Sequence, residues 1–302
     1  MIYKQLVLFI TLFVILLCTA VQASEHVALE KRGAKYWKFT NWNKYKKAKV
    51  GTTAKWNNKW HIPKHRGWLW AWKGSEKQNA AYRDPTKKTK DLVLRVKYNA
   101  HSRNPEVNPI GGLGFLAEPL TATKSTKKVT FQYSVYFPKS FKFVKGGKLP
   151  GIYGGNGECT GGDESGSCFT SRLMWRDDGE GEIYAYLPHN KQRSDLCDNK
   201  TNICNSDYGY SLGRSKFSFK KGKWVTVKQV IDFNTKNNKN GRMRLYVDGV
   251  KKVDIKKVVI RTTRTPKSIG IMFHTFFGGS DSTWSTPRNQ YSYFKNFKLQ
   301  LS

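Results

Sequence analysis

The chain has 302 residues, of which 54 are Lys or Arg and 21 are Asp or Glu, for a formal net charge of +33. A field of that size draws polyanions to the surface and raises their on-rate, which leaves nucleic acid, an anionic membrane surface or an acidic polysaccharide as partner classes. No sustained helical period, internal repeat or long low-complexity linker is present, so a helical bundle and a repeat array are set aside.

Residues 1–23 read as a signal peptide: Lys4, an apolar run from Leu6 to Leu17, then Val21-Gln22-Ala23 as a small-residue cleavage site. The apolar run falls short of the ~20 residues that span a bilayer. The expectation is a secreted, extracellular protein with no stable membrane association once the signal is removed. Residues 24–50 are a basic N-terminal segment in which Lys31-Arg32 offers a dibasic processing site. Trp37, Trp42, Trp56 and Trp60 are interleaved with Lys over residues 33–65. Such a mixture suits base stacking, sugar stacking or a core; here some of these rings are expected to be buried.

Residues 51–302 are expected to form one all-β domain. Val129 to Phe137 alternates along its whole length and stops at Pro138. Successive side chains on a strand point to opposite faces. From Phe169 to Arg176 one face therefore carries Phe169, Ser171, Leu173 and Trp175, and the other Thr170, Arg172, Met174 and Arg176. From Glu182 to Pro188, Ile183, Ala185 and Leu187 form an apolar face and leave Tyr184 and Tyr186 side by side on the other. The link Asp177–Gly181 is short and turn-like, so the two runs pair as a hairpin. Two phenols and two guanidinium groups then share one sheet face, where they can hold an anion and move protons near it. Glu182 shares that face, but at a strand end a solvated carboxylate is the commoner outcome; Arg176 has Asp177 and Asp178 beside it as partners.

Apart from Cys18 in the leader, the cysteines are Cys159, Cys168, Cys197 and Cys204. Their close spacings favour disulfides Cys159–Cys168 and Cys197–Cys204, and neither matches a zinc knuckle. Asn199-Lys200-Thr201 is a glycosylation sequon inside the second loop. Trp224 to Phe233 reads as a strand, Asp248-Gly249 as a hairpin turn, Ser268 to Phe277 as an apolar strand carrying His274, and Tyr291 to Leu301 as a terminal strand. This many antiparallel strands fits a β-jelly-roll sandwich of two antiparallel sheets with a concave face for a ligand.

Lys145 to Gly155 (KGGKLPGIYGG), Ser171 to Arg176, Glu182 to Pro188 and Met272 to Ser280 together resemble the hallmark motifs of polysaccharide lyase family 14. The similarity runs over roughly residues 120–302 in consistent order. It implies a β-jelly-roll that cleaves polyuronates, alginate or glucuronan, by β-elimination. Carried over by motif, the family's catalytic Lys falls on Lys148, its Arg on Arg172 and its Tyr pair on Tyr184 and Tyr186. The family's Ser falls on Thr170, which keeps a hydroxyl and adds a methyl. Thr170, Arg176 and His274 are the expected substrate-binding residues.

The chemistry needs such a set. Removing the C5 proton of a uronate builds negative charge beside a carboxylate, and a cation on that carboxylate spreads it. Arg172, with its planar fork, is the first choice, assisted by Lys148. Tyr184 and Tyr186 are the expected base and acid, on condition that neighbouring cations lower their phenol pKa. No metal and no cofactor are expected, and the protein is expected to act as a monomer on an anionic polysaccharide, not on nucleic acid. The alternatives are a non-catalytic acidic-glycan binder and a glycoside hydrolase, which needs two flanking carboxylates. Tyr pairs on strands are ordinarily cross-strand packing and histidines ordinarily core residues, so the motifs are what lift these positions.

Overall fold

Period-two patterning builds the molecule, seen in a computed structural model that describes residues 35–45, 50–69, 78–157, 159–162, 165–205, 207–236, 238–262 and 268–302. The expected signal peptide at 1–23 and the pair Lys31-Arg32 lie outside them. Among the described residues fifteen strands form two antiparallel sheets. The first sheet runs in the order β13 (Val250–Val258), β12 (Gly241–Val247), β11 (Trp224–Asp232), β5 (Lys128–Tyr136), β15 (Gln290–Leu301), β3 (Leu92–Tyr98) and β2 (Ala80–Arg83). The far half of β15 pairs with β1 (Lys35–Phe39). The second sheet runs β4 (Leu113–Ala117), β14 (Ser268–Phe277), β6 (Gly146–Gly155), β7 (Cys168–Arg176), β8 (Gly181–Tyr186), β10 (Tyr210–Leu212) and β9 (Asn202–Ile203).

The two inner faces meet in one core, with Val129, Phe131, Tyr133 and Val135 of β5 in the same cluster as Leu173 and Trp175 of β7 and Ile271 and Phe273 of β14. The alternating outer positions stay free for other work. Trp42, Trp56 and Trp60 are fully buried, with Trp60 on the one-turn helix α1 (Asn57–Trp60). Trp60 meets Phe297 of β15 at 4.9 Å and Phe115 of β4 at 5.3 Å, edge to face. Each such pair adds about 0.5–1.5 kcal/mol beyond area burial. β1 and Trp42, from the stretch 33–65 in which some tryptophans are expected to be buried, belong to the sandwich.

Asp248 and Gly249, with φ of 48° and 84°, make the two-residue turn between β12 and β13, the geometry that matches strand twist. Strand β6 is irregular between Leu149 and Ile152, and its register shifts there against β7. Pro150 lacks an N–H for the ladder. A Cβ on Gly151 would lie 2.0 Å from Ser171 O and 2.4 Å from Arg172 Cα, so glycine lets β6 close on β7 beside Arg172. The disulfides join Cys159 to Cys168 and Cys197 to Cys204, as the spacings favour. Among the described residues no helix is long and apolar enough to cross a membrane.

Candidate active site

The outer face of the second sheet gathers the expected residues. Register sets Arg172 opposite Tyr184, Thr170 opposite Tyr186, and Met174 opposite Glu182. On the other side of β7, Lys148 stands opposite Met174. The rings of Tyr184 and Tyr186 lie 5.9 Å apart, edge to face. Lys148 Nζ sits 3.9 Å over the Tyr184 ring and 3.1 Å from Met174 Sδ. The Arg172 guanidinium carbon is 5.8 Å from each tyrosine ring.

Arg172 is buried, and its contacts are weak ones. Nη1 donates to His274 Nδ1 at 3.3 Å and Nη2 to Thr160 Oγ1 at 3.3 Å. Arginine can only donate, so His274 Nδ1 is the acceptor and the imidazole is neutral. Burial, and then the neighbouring Arg172, hold His274 well below the usual histidine range. His274 is on β14 and Arg172 on β7, two strands apart, and they reach each other across β6 at its Pro150-Gly151 irregularity. Among the described residues no carboxylate pairs with Arg172.

The loop closed by Cys159–Cys168 supplies the remaining supports. Thr170 Oγ1 donates to Cys159 O at 2.9 Å, and Gly162 N donates to Tyr186 Oη at 3.2 Å. Ser171 faces the other way, where its hydroxyl donates to Gln229 Oε1 of the opposite sheet at 2.8 Å. The hydroxyl on the site face is thus that of Thr170.

Two expectations are corrected. Glu182 is not solvated: its side chain has 0% exposure, and Oε1 accepts from Arg176 Nη2 at 2.7 Å, Arg176 Nε at 3.0 Å and Ser211 Oγ at 3.0 Å. Arg176 therefore pairs with Glu182 and not with Asp177 or Asp178, because it shares the sheet face of Glu182 while Asp177 turns back to cap Asp178 N. Arg214 Nε lies 3.8 Å from the second oxygen, Oε2. The other correction concerns Tyr184, whose phenol is raised above its ordinary value, not lowered. Burial is the largest cause and Tyr186 the next, and together they outweigh the attraction of Arg172. Lys148 moves the opposite way, well below the ordinary lysine value, through burial and then repulsion from Arg172 and Arg176. The amine gives up its proton easily and the phenol keeps its own.

Sequence reasoning placed Met174 on this face without giving it a role, and missed Ser211, Arg214, Thr160 and Gly162, which reach the site only through long-range folding.

The family model described as Polysaccharide lyase 14 matches residues 86–297. No match was found among the curated proteins. Of the solved structures, the PL-14 alginate lyase from Aplysia kurodai is 37% identical, with 74% of this chain and 87% of that chain covered and a TM-score of 0.66. An alginate lyase from Chlorella virus is 24% identical over 74% of this chain and 89% of its own, with a TM-score of 0.62. A third alginate lyase, solved as a double mutant with an alginate tetrasaccharide, is 22% identical over 87% of this chain and 96% of its own, with a TM-score of 0.66. At those identities the last two attest the shared sandwich. On the extent of the family match and the identity to the Aplysia enzyme, this chain belongs to polysaccharide lyase family 14.

Proposed function

We propose that the protein is a secreted lyase that cleaves an acidic polyuronate, alginate first, by β-elimination. The observation that carries this reading is Arg172: a buried guanidinium in a site of tyrosines and lysine, with no carboxylate of its own among the described residues. A substrate carboxylate supplies the missing anion, and the fork geometry of arginine suits it. The alginate lyase from Aplysia kurodai, at 37% identity, supports alginate as the polymer. The two disulfides support an oxidising, extracellular address.

In this reading Arg172 neutralises the C5 carboxylate and so stabilises the charge that develops when the C5 proton leaves. Lys148, whose proton affinity is depressed, takes that proton as the free amine. The electron pair forms the C4–C5 double bond, the C4–oxygen bond breaks, and Tyr184 donates its proton to the departing glycosidic oxygen. The proton on Lys148 then returns to the Tyr184 phenolate below it. Tyr186, held by Gly162 N, packs edge to face on the Tyr184 ring at 5.9 Å and helps to fix it. A glycoside hydrolase would need two carboxylates astride the bond. Glu182 is committed to Arg176, and Glu180 to Ser215.

The test is product chemistry on alginate blocks, glucuronan and a neutral glucan. Elimination gives ultraviolet absorbance in step with new reducing ends on a polyuronate and nothing on the neutral polymer. Reducing ends without the chromophore would make the reaction a hydrolysis.

A further inference from the structure

The outer face of the first sheet lies on the far side of the core from Arg172 and carries a row of its own. Register aligns Arg95 of β3 with Tyr293 of β15, Tyr293 with Tyr136 of β5, and Tyr136 with Trp224 of β11. Tyr136 is 6.0 Å from Tyr293 and 5.6 Å from Trp224, ring to ring. The Arg95 guanidinium carbon lies 4.1 Å from the Tyr82 ring centroid and 4.9 Å from that of Tyr291. Aromatic pairs across strands are ordinarily packing, and that explains Tyr136 and Tyr293. It does not explain Arg95.

Elsewhere on this sheet the few acids are matched to cations: Lys295 with Asp84, Arg242 with Asp254, and Arg244 with Asp232. Among the described residues none pairs with Arg95, and its buried Nε has no hydrogen-bond partner. Most basic residues of so cationic a chain lack an acid, but they can stand in water. Arg95 instead has the rings of Tyr82 and Tyr291 against its guanidinium carbon. A guanidinium's N–H donors lie in its own plane, the direction from which a carboxylate approaches in bidentate fashion. Tyr82 is 48% exposed, so its ring also offers a face to solvent.

We infer that this face is a second binding surface for the acidic polysaccharide, with Arg95 taking a uronate carboxylate and Tyr82 stacking on the neighbouring sugar. The inference rests on the proposed polyuronate substrate and adds a second hold on the same polymer, remote from the cleavage site. Charge complementarity selects the occupant: a cation fixed among aromatic rings on a protein of charge +33 suits an anionic glycan.

The experiment has a binding and a kinetic arm. Arg95→Gln, Tyr82→Ala and a control, Lys252→Gln on edge strand β13, are compared by retardation in gels cast with alginate, glucuronan or neutral dextran. Tyr184→Phe/Tyr186→Phe is built into every chain of this arm to spare the polymer. In otherwise wild-type protein the same variants are assayed on long alginate and on its tetrasaccharide. Arg95→Gln and Tyr82→Ala are expected to weaken retardation and lower kcat/KM on the polymer by roughly 3–10-fold, the worth of one such contact, with the tetrasaccharide rate unchanged. Lys252→Gln removes the same charge as Arg95→Gln and is expected to change neither. Equal losses in Lys252→Gln and Arg95→Gln, equal losses on polymer and tetrasaccharide, or wild-type behaviour of both Arg95→Gln and Tyr82→Ala would each overturn the inference. If the wild-type protein forms no unsaturated product from any polyuronate, the proposed reaction fails; the gel arm still decides the second surface.

Discussion

Lys148 and Tyr184 are in contact, the amine 3.9 Å above the ring, and their proton affinities are displaced in opposite directions, the amine's down and the phenol's up. Burial with Arg172 and Arg176 eases the proton off Lys148, while burial with Tyr186 keeps it on Tyr184. A free amine beside a protonated phenol is the arrangement a base and an acid require. Activity should therefore rise with pH as Lys148 loses its proton, with the midpoint below the usual lysine value of about 10.4. It should decline only where Tyr184 ionises, above the usual phenol value. Profiles of kcat/KM against pH read both limbs. Tyr184→Phe should cost roughly 10²–10⁴-fold. A rising limb at the ordinary lysine value would contradict the assignment of Lys148.

Glu182 bears on the same amine from the same row, two strands over across Met174. Its charge holds the Lys148 proton affinity up, against Arg172 and Arg176, and it neutralises a cluster of two arginines. In Glu182→Gln the opposing pull is lost, so the rising limb of the pH profile should move to lower pH. Removing one partner of a buried ion pair should also destabilise the fold by about 3–5 kcal/mol. Denaturant titration reads the stability, and the pH profile of the folded variant reads the electrostatics. A profile identical to wild type would confine Glu182 to structure.

Alternation, with the hairpin pairing, placed Thr170, Arg172, Tyr184 and Tyr186 on one face, because a strand's period is two and the other side of both strands is apolar but for Ser171. It placed Met174 and Glu182 there as well, but periodicity says which way a side chain points and not what it meets. The Arg176–Glu182 pair needed the hairpin's diagonal register, and Arg214 and Ser211 come from beyond the second disulfide. His274 stood on a legible strand, yet its contact with Arg172 depends on β6 being pinched at Pro150-Gly151, a distortion with no periodic signature. The phenol of Tyr184 was misjudged because a charge count sees Arg172 and Lys148 but not the loss of water around the ring.

The Cys159–Cys168 loop supports three residues of the face: Thr170 through Cys159 O, Arg172 through Thr160 and Tyr186 through Gly162. Closing so short a loop is worth about 2–3 kcal/mol in the chain-entropy account. Cys159→Ser/Cys168→Ser should lose that stability and, below its melting transition, kcat more than KM, since the loop orients the catalytic side chains. Cys197→Ser/Cys204→Ser serves as the comparison. Equal kcat losses in the two variants would tie the effect to general destabilisation.

The charge of +33 should act at a distance. Exposed charges are screened over about 8 Å at physiological ionic strength, so kcat/KM on polymer should fall steeply with added salt while kcat at saturation changes little. A flat response would remove long-range steering from the account and leave the site chemistry as it is.

Arg172 is where charge and geometry separate. Its fork is buried, lies 5.8 Å from both tyrosine rings, and is aimed by neutral His274 and by Thr160. Arg172→Ala removes the cation that stabilises the developing charge and should cost roughly 10²–10³-fold in kcat. Arg172→Lys keeps a positive charge but cannot hold both carboxylate oxygens in one plane or reach His274 and Thr160 together. Its rate should lie between those of wild type and Arg172→Ala. A substrate analogue whose carboxylate is replaced by a neutral ester separates the two contributions, because with no charge to hold, the penalty of Arg172→Ala should shrink toward unity. If wild type and Arg172→Ala differ as much on the ester as on the acid, Arg172 does not act through the carboxylate and serves to order the tyrosines instead.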